Sequence, residues 1–494
     1  MTKSILLGAN YSIIEPLGLL HLSTIAKQEG FDPKIILIKN GNFEEMESER
    51  KRTNPRYIGM QLFTGNHTDA FKYFNTIREF ETEIIIGGPH ATYFPKESSK
   101  HADYVVVSEG FNSFRRILQG RVKRGIIALE KQESFPLSDR ESFYRDYKEH
   151  KQNPIKNIIT KTGCPYSCTY CYNSSKLSNL EKELSRISYK KMKKVLGRGE
   201  RLFVNAQRSV NEILSELESI KKFSSNTKMI YFQDDVFGTN LTWLREFAKE
   251  YDKSFKYHAQ LRFEYANPRK DSGKERLNLL KSSGCTGLTF AIEAANPIIR
   301  TEVLNRNIDN KLMFESLSYV NELGFKVRTE QMLGLPLGAT KEETKINIDA
   351  DLETLRLNVQ LKEKTGLPNL AWTSIFTPYQ GTKLAEYCIQ YGFFNSNTEL
   401  IPSTFFEKSV LNFPKKWIGP DLNPYNKHQW MSNKEQEKYK EDLVCLKDYF
   451  SIFAQIPKGH ELARDFLSQE DRSPKKLGEM LKKHLFDRII YETK

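Results

Sequence analysis

Six cysteines in 494 residues is a sparse supply, and none of them precedes Cys164. Thiols this thin on the ground leave no room for the disulfide framework of a small secreted domain. The opening Met-Thr-Lys-Ser-Ile-Leu-Leu-Gly lacks the long apolar stretch of a signal peptide. No run of 18 or more apolar residues occurs, which argues against a membrane-spanning helix. These absences predict a cytoplasmic address. No His falls between Cys171 and His258, and the next Cys after Cys171 is Cys285, so the second half of a structural zinc site is missing. No low-complexity tract and no internal repeat beyond β/α units is present. Hydrophobic residues at 39% and aromatics at 12% suffice for ordinary cores, and the length predicts about three domains.

Positive charge is the one excess. The formal net charge is +13. Such a balance can serve nucleic acid, acidic lipid or a phosphorylated substrate, or can reflect Lys-rich usage throughout one organism. Its densest stretch is Lys182 to Arg201, with Lys182, Arg186, Lys190, Lys191, Lys193, Lys194, Arg198 and Arg201 against Glu183 and Glu200. A solvated loop and a docking surface for an acidic partner are both open.

Against those absences stands Gly163-Cys-Pro-Tyr-Ser-Cys-Thr-Tyr-Cys-Tyr172, a Cys-x3-Cys-x2-Cys run through Cys164, Cys168 and Cys171. Three thiolates are one short of the four that close a [4Fe–4S] cluster. An iron without a protein ligand can take a small molecule, as the open position of a catalytic zinc does. This run resembles the radical S-adenosylmethionine (SAM) superfamily, whose pattern places an aromatic, here Tyr170, before the third Cys. The resemblance implies that SAM binds the unique iron through its amine and carboxylate, and that one electron cleaves it to a 5′-deoxyadenosyl radical. Cys285, Cys388 and Cys445 are scattered and read as small buried hydrophobes.

The first 120 residues alternate strand and helix: strands at 4–9, 34–38, 57–63, 83–87 and 103–108, helices at 16–29 and 68–80. This pattern predicts a doubly wound, Rossmann-like parallel sheet, whose ligands sit beyond the carboxyl ends of the strands. Those ends carry Pro16-Leu17-Gly18, Thr64-Gly65-Asn66, Gly87-Gly88-Pro89-His90 and Glu109-Gly110. In this order they resemble the cobalamin (B12)-binding domain that precedes the barrel in one large group of radical SAM enzymes. The resemblance implies cobalamin contacts at Pro16, Leu17, Gly18, Gly87, Gly88, His90, Glu109 and Gly110. Gln61, Leu62, Phe63 and Thr64 are expected under the lower face of the corrin. None of the nine His has Asp two residues before it, so no His is expected on cobalt.

From 156 to 382 six strand candidates (157–162, 229–233, 257–262, 287–293, 326–333, 371–377) separated by helical stretches fit a partial (β/α)6 barrel of TIM type. The resemblance assigns SAM contacts to Tyr170, to Gln233, Asp234 and Asp235 after the second strand, to Glu293 after the fourth, to Arg306, and to Leu333 and Gly334 in Met332-Leu333-Gly334-Leu335-Pro336-Leu337-Gly338-Ala339-Thr340. Asp234-Asp235 could instead cap the helix that begins near Leu241, and Glu293 could pair with Arg328 or Arg262. Tyr172, Asn173, Gln260, Arg328, Gln331 and Tyr379 are further candidates for the barrel mouth. The expected division is a cobalamin domain at 1–125, a linker at 126–151, a radical SAM barrel at 152–385 and a helical C-terminal domain at 386–494. That last domain, with aromatics Phe405, Phe406, Phe413 and Trp417 and helices at 432–453 and 477–491, is expected to cover the barrel opening and shape the substrate pocket.

What the resemblance implies is a cobalamin-dependent enzyme that methylates an unactivated carbon, moving methyl from SAM through methylcobalamin after hydrogen abstraction by the 5′-deoxyadenosyl radical. A relative that uses both cofactors for rearrangement or cyclisation is the alternative. A methylthiotransferase would need three more Cys in the N-terminal domain. Expected partners are a small-molecule or peptide substrate and an electron donor such as flavodoxin or ferredoxin, with no membrane and no nucleic acid.

Overall fold

Two six-stranded parallel sheets, one in each half of the chain, organise the molecule. The computed structural model describes residues 3–127, 135–203, 206–336, 348–404, 407–414 and 430–491. The first sheet comprises β1 (Lys3–Asn10), β2 (Phe31–Ile38), β3 (Tyr57–Gln61), β4 (Glu83–Gly87), β5 (Tyr104–Val106) and β6 (Gly125–Ile127), in the order β2-β1-β3-β4-β5-β6. Ile5 and Leu7 face the helices Leu17–Gln28 and Phe111–Leu118, while Leu6 faces Glu44–Thr53 and His67–Ile77. Both faces are covered, which is why these strands read as near-continuous apolar runs. The strand order reverses between β1 and β3, the point at which such sheets bind ligands.

β6 and two short helices, Arg140–Asp146 and Lys148–Gln152, occupy the stretch expected to be a linker. Asp139 caps the first of these helices and accepts a hydrogen bond from Ser23 Oγ at 2.6 Å, which seats the segment on the first domain.

The second sheet runs β7 (Ile155–Ile158), β10 (Met229–Phe232), β11 (Lys256–Leu261), β12 (Cys285–Glu293), β13 (Lys326–Leu333) and β14 (Leu370–Ile375) in sequential order. β7 and β14 do not pair with each other, so the barrel is open. The expected first strand at 157–162 is cut short. Thr160 N–H donates to Asp234 Oδ1 at 2.6 Å. Beyond it β8 (Lys161–Thr162) pairs antiparallel with β9 (Ala206–Gln207).

The C-terminal helix Asn433–Phe453 opens with a capping box of Ser432 and Glu435 and lies along β14. Ala371 N–H donates to Ser451 Oγ at 3.3 Å and Thr373 Oγ1 to Lys447 O at 3.2 Å. It covers the unpaired side edge of the sheet, where open backbone groups would otherwise be exposed. Phe413 is fully buried against Tyr439; Phe405, Phe406, Trp417 and 337–340 lie outside the described residues. No described helix is long and apolar enough to cross a membrane.

Candidate cofactor and active site

The three cysteines follow β7 and β8 at the carboxyl end of the barrel, and none is in a disulfide. Their loop is held from several sides. The Arg201 guanidinium donates to the carbonyls of Cys164, Pro165 and Tyr166 and to Ser167 Oγ. Thr169 N–H reaches Leu304 O at 3.2 Å, Asn305 Nδ2 reaches Ser167 O at 2.8 Å, and Leu384 N–H reaches Thr169 O at 3.0 Å. The residues before Leu304 form a π-helical turn, Ile299–Val303, a feature frequent at functional sites.

Burial pushes the Cys171 thiol up to about 12, with Cys168 and Cys164 close enough to add to the shift. Arg262 Nη1 lies 3.5 Å from Cys168 Sγ and Arg306 Nη1 lies at 4.0 Å. Three crowded thiols flanked by guanidinium groups suit a metal centre that takes them as thiolates, because ligand thiols must be deprotonated and hydrogen bonds to the sulfurs tune such clusters. The residues present therefore fit a [4Fe–4S] cluster.

The positions assigned to SAM divide into two sets. Tyr170, Glu293 and Arg306 meet: Tyr170 OH donates to Glu293 Oε1 at 2.7 Å, and Arg306 Nη1 lies 3.1 Å from Tyr170 OH and 3.6 Å from Glu293 Oε1. A register shift at the end of β12 and a positive φ of 68° at Glu293 accompany this placement. The partner is thus Arg306, whereas Arg328 pairs with Glu330 and Arg262 with Glu264. Gln233 and Asp235 border the open cavity described below. Asp234 does not. It is fully buried and bonds Thr160 through backbone and side chain. Asn240, not the Asp pair, caps the next helix. Leu333 is buried in the core, and Gly334, with φ 69°, donates its N–H to Asp351 Oδ1 at 3.0 Å.

The positions assigned to cobalamin also divide. Leu17, Gly18, Gln61, Phe63, Gly87, Gly88, Glu109 and Gly110 line one cavity of about 360 Å³. Pro16 precedes the first helix. Leu62 is buried, and its carbonyl accepts His90 N–H. His90 lies behind the cavity wall, fully buried and stacked on His67 at 4.0 Å, with Thr64 Oγ1 3.1 Å from its Nδ1. A Cβ built on Gly18 meets nothing nearer than Gln61 Oε1 at 3.8 Å. Gly88 has φ 96°, and a Cβ there would stand 2.8 Å from Leu62 O. Side-chain-free backbone at the strand ends leaves room for a flat, bulky group, so this wall fits a corrin.

The opposite wall of the same cavity is barrel: Thr162, Gly163, Tyr172, Asn173, Gln233 and Asp235. Asn173 bonds the Asp235 carboxyl, which burial pushes above its usual range. Glu109 reaches across to the Thr162 side chain, and burial pushes its carboxyl up to about 7 against that hydrogen bond.

An ionic lock that no sequence pattern announced joins the two halves. Arg140 Nη1 lies 2.8 Å from Glu15 Oε2, its Nη2 lies 2.9 Å from Glu216 Oε1, and Arg208 Nη1 lies 2.7 Å from Glu216 Oε2. Burial opposes ionisation of Glu216, yet the Arg208 and Arg140 guanidiniums bring its carboxyl down to about 2. Arg201 and Arg262 were equally unannounced beside the cysteines.

Comparison with known proteins bears on both halves. The profile of the Radical SAM superfamily matches residues 158–347, and that of the B12 binding domain matches 3–118. An uncharacterized methyltransferase of Pyrococcus horikoshii is 24% identical over 403 residues, 76% of this chain and 78% of that protein. Cytidylyl-2-hydroxyethylphosphonate methyltransferase of Streptomyces wedmorensis is 20% identical over 470 residues, 82% and 84% of the two chains. Among solved structures, the radical SAM methyltransferase TsrM of Kitasatospora setae, with tryptophan and a SAM analogue bound, shares the fold at a TM-score of 0.56 and 14% identity, over 94% of this chain and 99% of that one. A second TsrM structure contains cobalamin and a [4Fe–4S] cluster.

Proposed function

We propose that this chain, a cobalamin-dependent radical SAM methyltransferase, places a methyl group on an unactivated carbon of a small molecule held where its two sheets meet. The observation that carries this reading is the shared cavity, with glycine-rich strand ends of the first sheet on one wall and Gly163, Tyr172, Asn173 and Asp235, which flank the cysteine loop, on the other. When bound, the cluster supplies one electron for SAM cleavage and the corrinoid carries a methyl group.

The chain's own residues bind, orient and exclude. Cys164, Cys168 and Cys171 would hold the iron. Glu293, fixed by Tyr170 and Arg306, and Asp235 with Gln233 offer carboxylate and amide groups to the ammonium and hydroxyls of SAM. Gln61 and Phe63, on the first domain's wall of the cavity, would contact a bound corrin, and Glu109 ties that wall to the barrel through Thr162. Phe111, Phe135 and Phe203 line the same space and keep water from a reactive intermediate. A phosphonate-methylating relative and a tryptophan-bound neighbour both support a small-molecule substrate. A flavodoxin or ferredoxin would supply the electron.

The test is anaerobic reconstitution with iron, sulfide and hydroxocobalamin, followed by turnover of candidate small molecules with methyl-labelled SAM. The expected product is heavier by one methylene and carries the label, with one cobalamin per chain. A product of unchanged carbon count would instead establish rearrangement or cyclisation.

A further inference from the structure

Residues 176–201 leave the barrel just after the third cysteine and return to the same place. Leu177 N–H donates to Glu200 O at 2.7 Å and Leu202 N–H to Ser175 O at 3.0 Å, while Lys176 and Arg201 form an isolated antiparallel bridge. Arg201, at the end of the excursion, is the residue that grips the carbonyls of the cysteine loop. The base of the excursion is therefore part of the cluster loop's support.

Its two sides differ sharply. Leu177, Leu180, Leu184, Met192 and Leu202 pack with Tyr93 and Val107 of the first domain. The other side belongs to the helix Arg186–Leu196, which exposes Arg186, Ile187, Lys190, Lys191 and Lys194. Positions 187, 190, 191 and 194 share one helical face. Ile187 is 83% exposed at the edge of these cations. No Asp or Glu occurs from 184 to 199, and Glu200 is held by Lys193 at 3.0 Å. An exposed apolar side chain beside clustered charge of one sign offers a partner both an apolar contact and electrostatic attraction.

We propose that this face docks an acidic protein that carries single electrons, delivering them beside the loop that Arg201 braces. The inference rests on the reading that Cys164, Cys168 and Cys171 hold a reducible cluster. In the step itself the carrier is oxidised by one electron and the cluster is reduced by one, with no bond made or broken. Cations on the helix steer an acidic carrier to the surface, and Ile187 gives it an apolar contact on arrival. Nucleic acid or an anionic membrane could use the same cations. Neither would require the cations to sit on an excursion whose closing residue, Arg201, braces the cysteine loop, and an electron carrier does, because transfer demands close approach.

The experiment uses the reconstituted holoenzyme and its Lys190→Glu/Lys194→Glu variant. SAM cleavage is driven either by photoreduced bacterial flavodoxin or by dithionite. The expected result is a carrier-driven rate that falls about tenfold or more at low salt and loses its steep salt dependence, with the dithionite-driven rate unchanged. Lys190→Gln/Lys194→Gln should fall in between. An unchanged carrier-driven rate overturns the proposal, and so does a lowered rate with undiminished binding of flavodoxin to the variant, or one accompanied by lost binding to phosphatidylglycerol vesicles or to RNA, which would reassign the face. Absence of dithionite-driven cleavage in the unaltered protein would instead remove the cluster reading beneath it.

Discussion

The two parallel sheets have the same number of strands and opposite designs. In the first, β1 buries five consecutive residues and β2 its last four, because helices cover both faces. In the second, β11, β13 and β14 alternate buried with half-exposed positions. The half-exposed ones include His258, Gln260, Arg328, Glu330 and Trp372. A sheet sealed on both faces has only its strand ends to offer a ligand. A sheet curled around an opening can also present a row of polar side chains along its concave face. The first is thus suited to carry a large planar cofactor on its rim, and the second to hold the reacting groups.

Separate loss of the two functions would sharpen this contrast most. Cys168→Ala should abolish iron loading and SAM cleavage while leaving cobalamin binding at the first sheet close to one per chain, as metal analysis and corrinoid absorbance would show. Retained SAM cleavage would break the assignment. Next in size is the lock between the sheets. Arg140→Met leaves Glu15 and Glu216 buried without their shared cation, and should cost about 3–5 kcal/mol of stability, read by denaturant unfolding. Gly88→Ala forces a side chain onto a backbone with φ 96° and a Cβ 2.8 Å from Leu62 O. It should cost about 1–3 kcal/mol and weaken cobalamin binding, with iron content unchanged.

The smallest effect is a pH dependence. An ordinary Glu titrates near about 4.3, and burial raises Glu109 to about 7. Between these values the folded chain holds a proton that the unfolded chain has released. The stability this acid contributes is therefore full below the lower value and is lost as pH rises through the upper one. Glu109→Gln removes that loss, so its melting temperature relative to the unaltered protein should be higher at about pH 8 than at about pH 5. Equal differences at both would mean that Glu109 ionises normally.

Much of this was legible along the chain. The cysteine run is local, and the strands of both sheets announce themselves by apolar runs bounded by glycine. What the chain did not show shares one cause. Glu293 was visible as a carboxylate needing a partner, with Arg328 or Arg262 as the candidates, but past the register shift in β12 it meets Arg306. His90 sits in a glycine turn that does face the cavity, yet its own side chain turns inward to His67. Asp234 and Asp235 are neighbours with opposite fates, one tied to Thr160 and one on the cavity wall. The helix Asn433–Phe453 covers the edge of β14, since an unpaired edge is a demand that sequence composition does not express.

The chain alone determined the cofactor-bearing loop, the alternation of strand and helix and the glycine-rich strand ends, because each depends on residues a few positions apart. Only the tertiary structure decided that those strand ends face the residues flanking the cysteines across one cavity, that Arg140 locks the halves together, and that Arg201, closing the excursion that carries a basic helix, braces the cysteine loop. Those outcomes depend on contacts between residues tens to more than a hundred positions apart, which packing brings together and local pattern does not record.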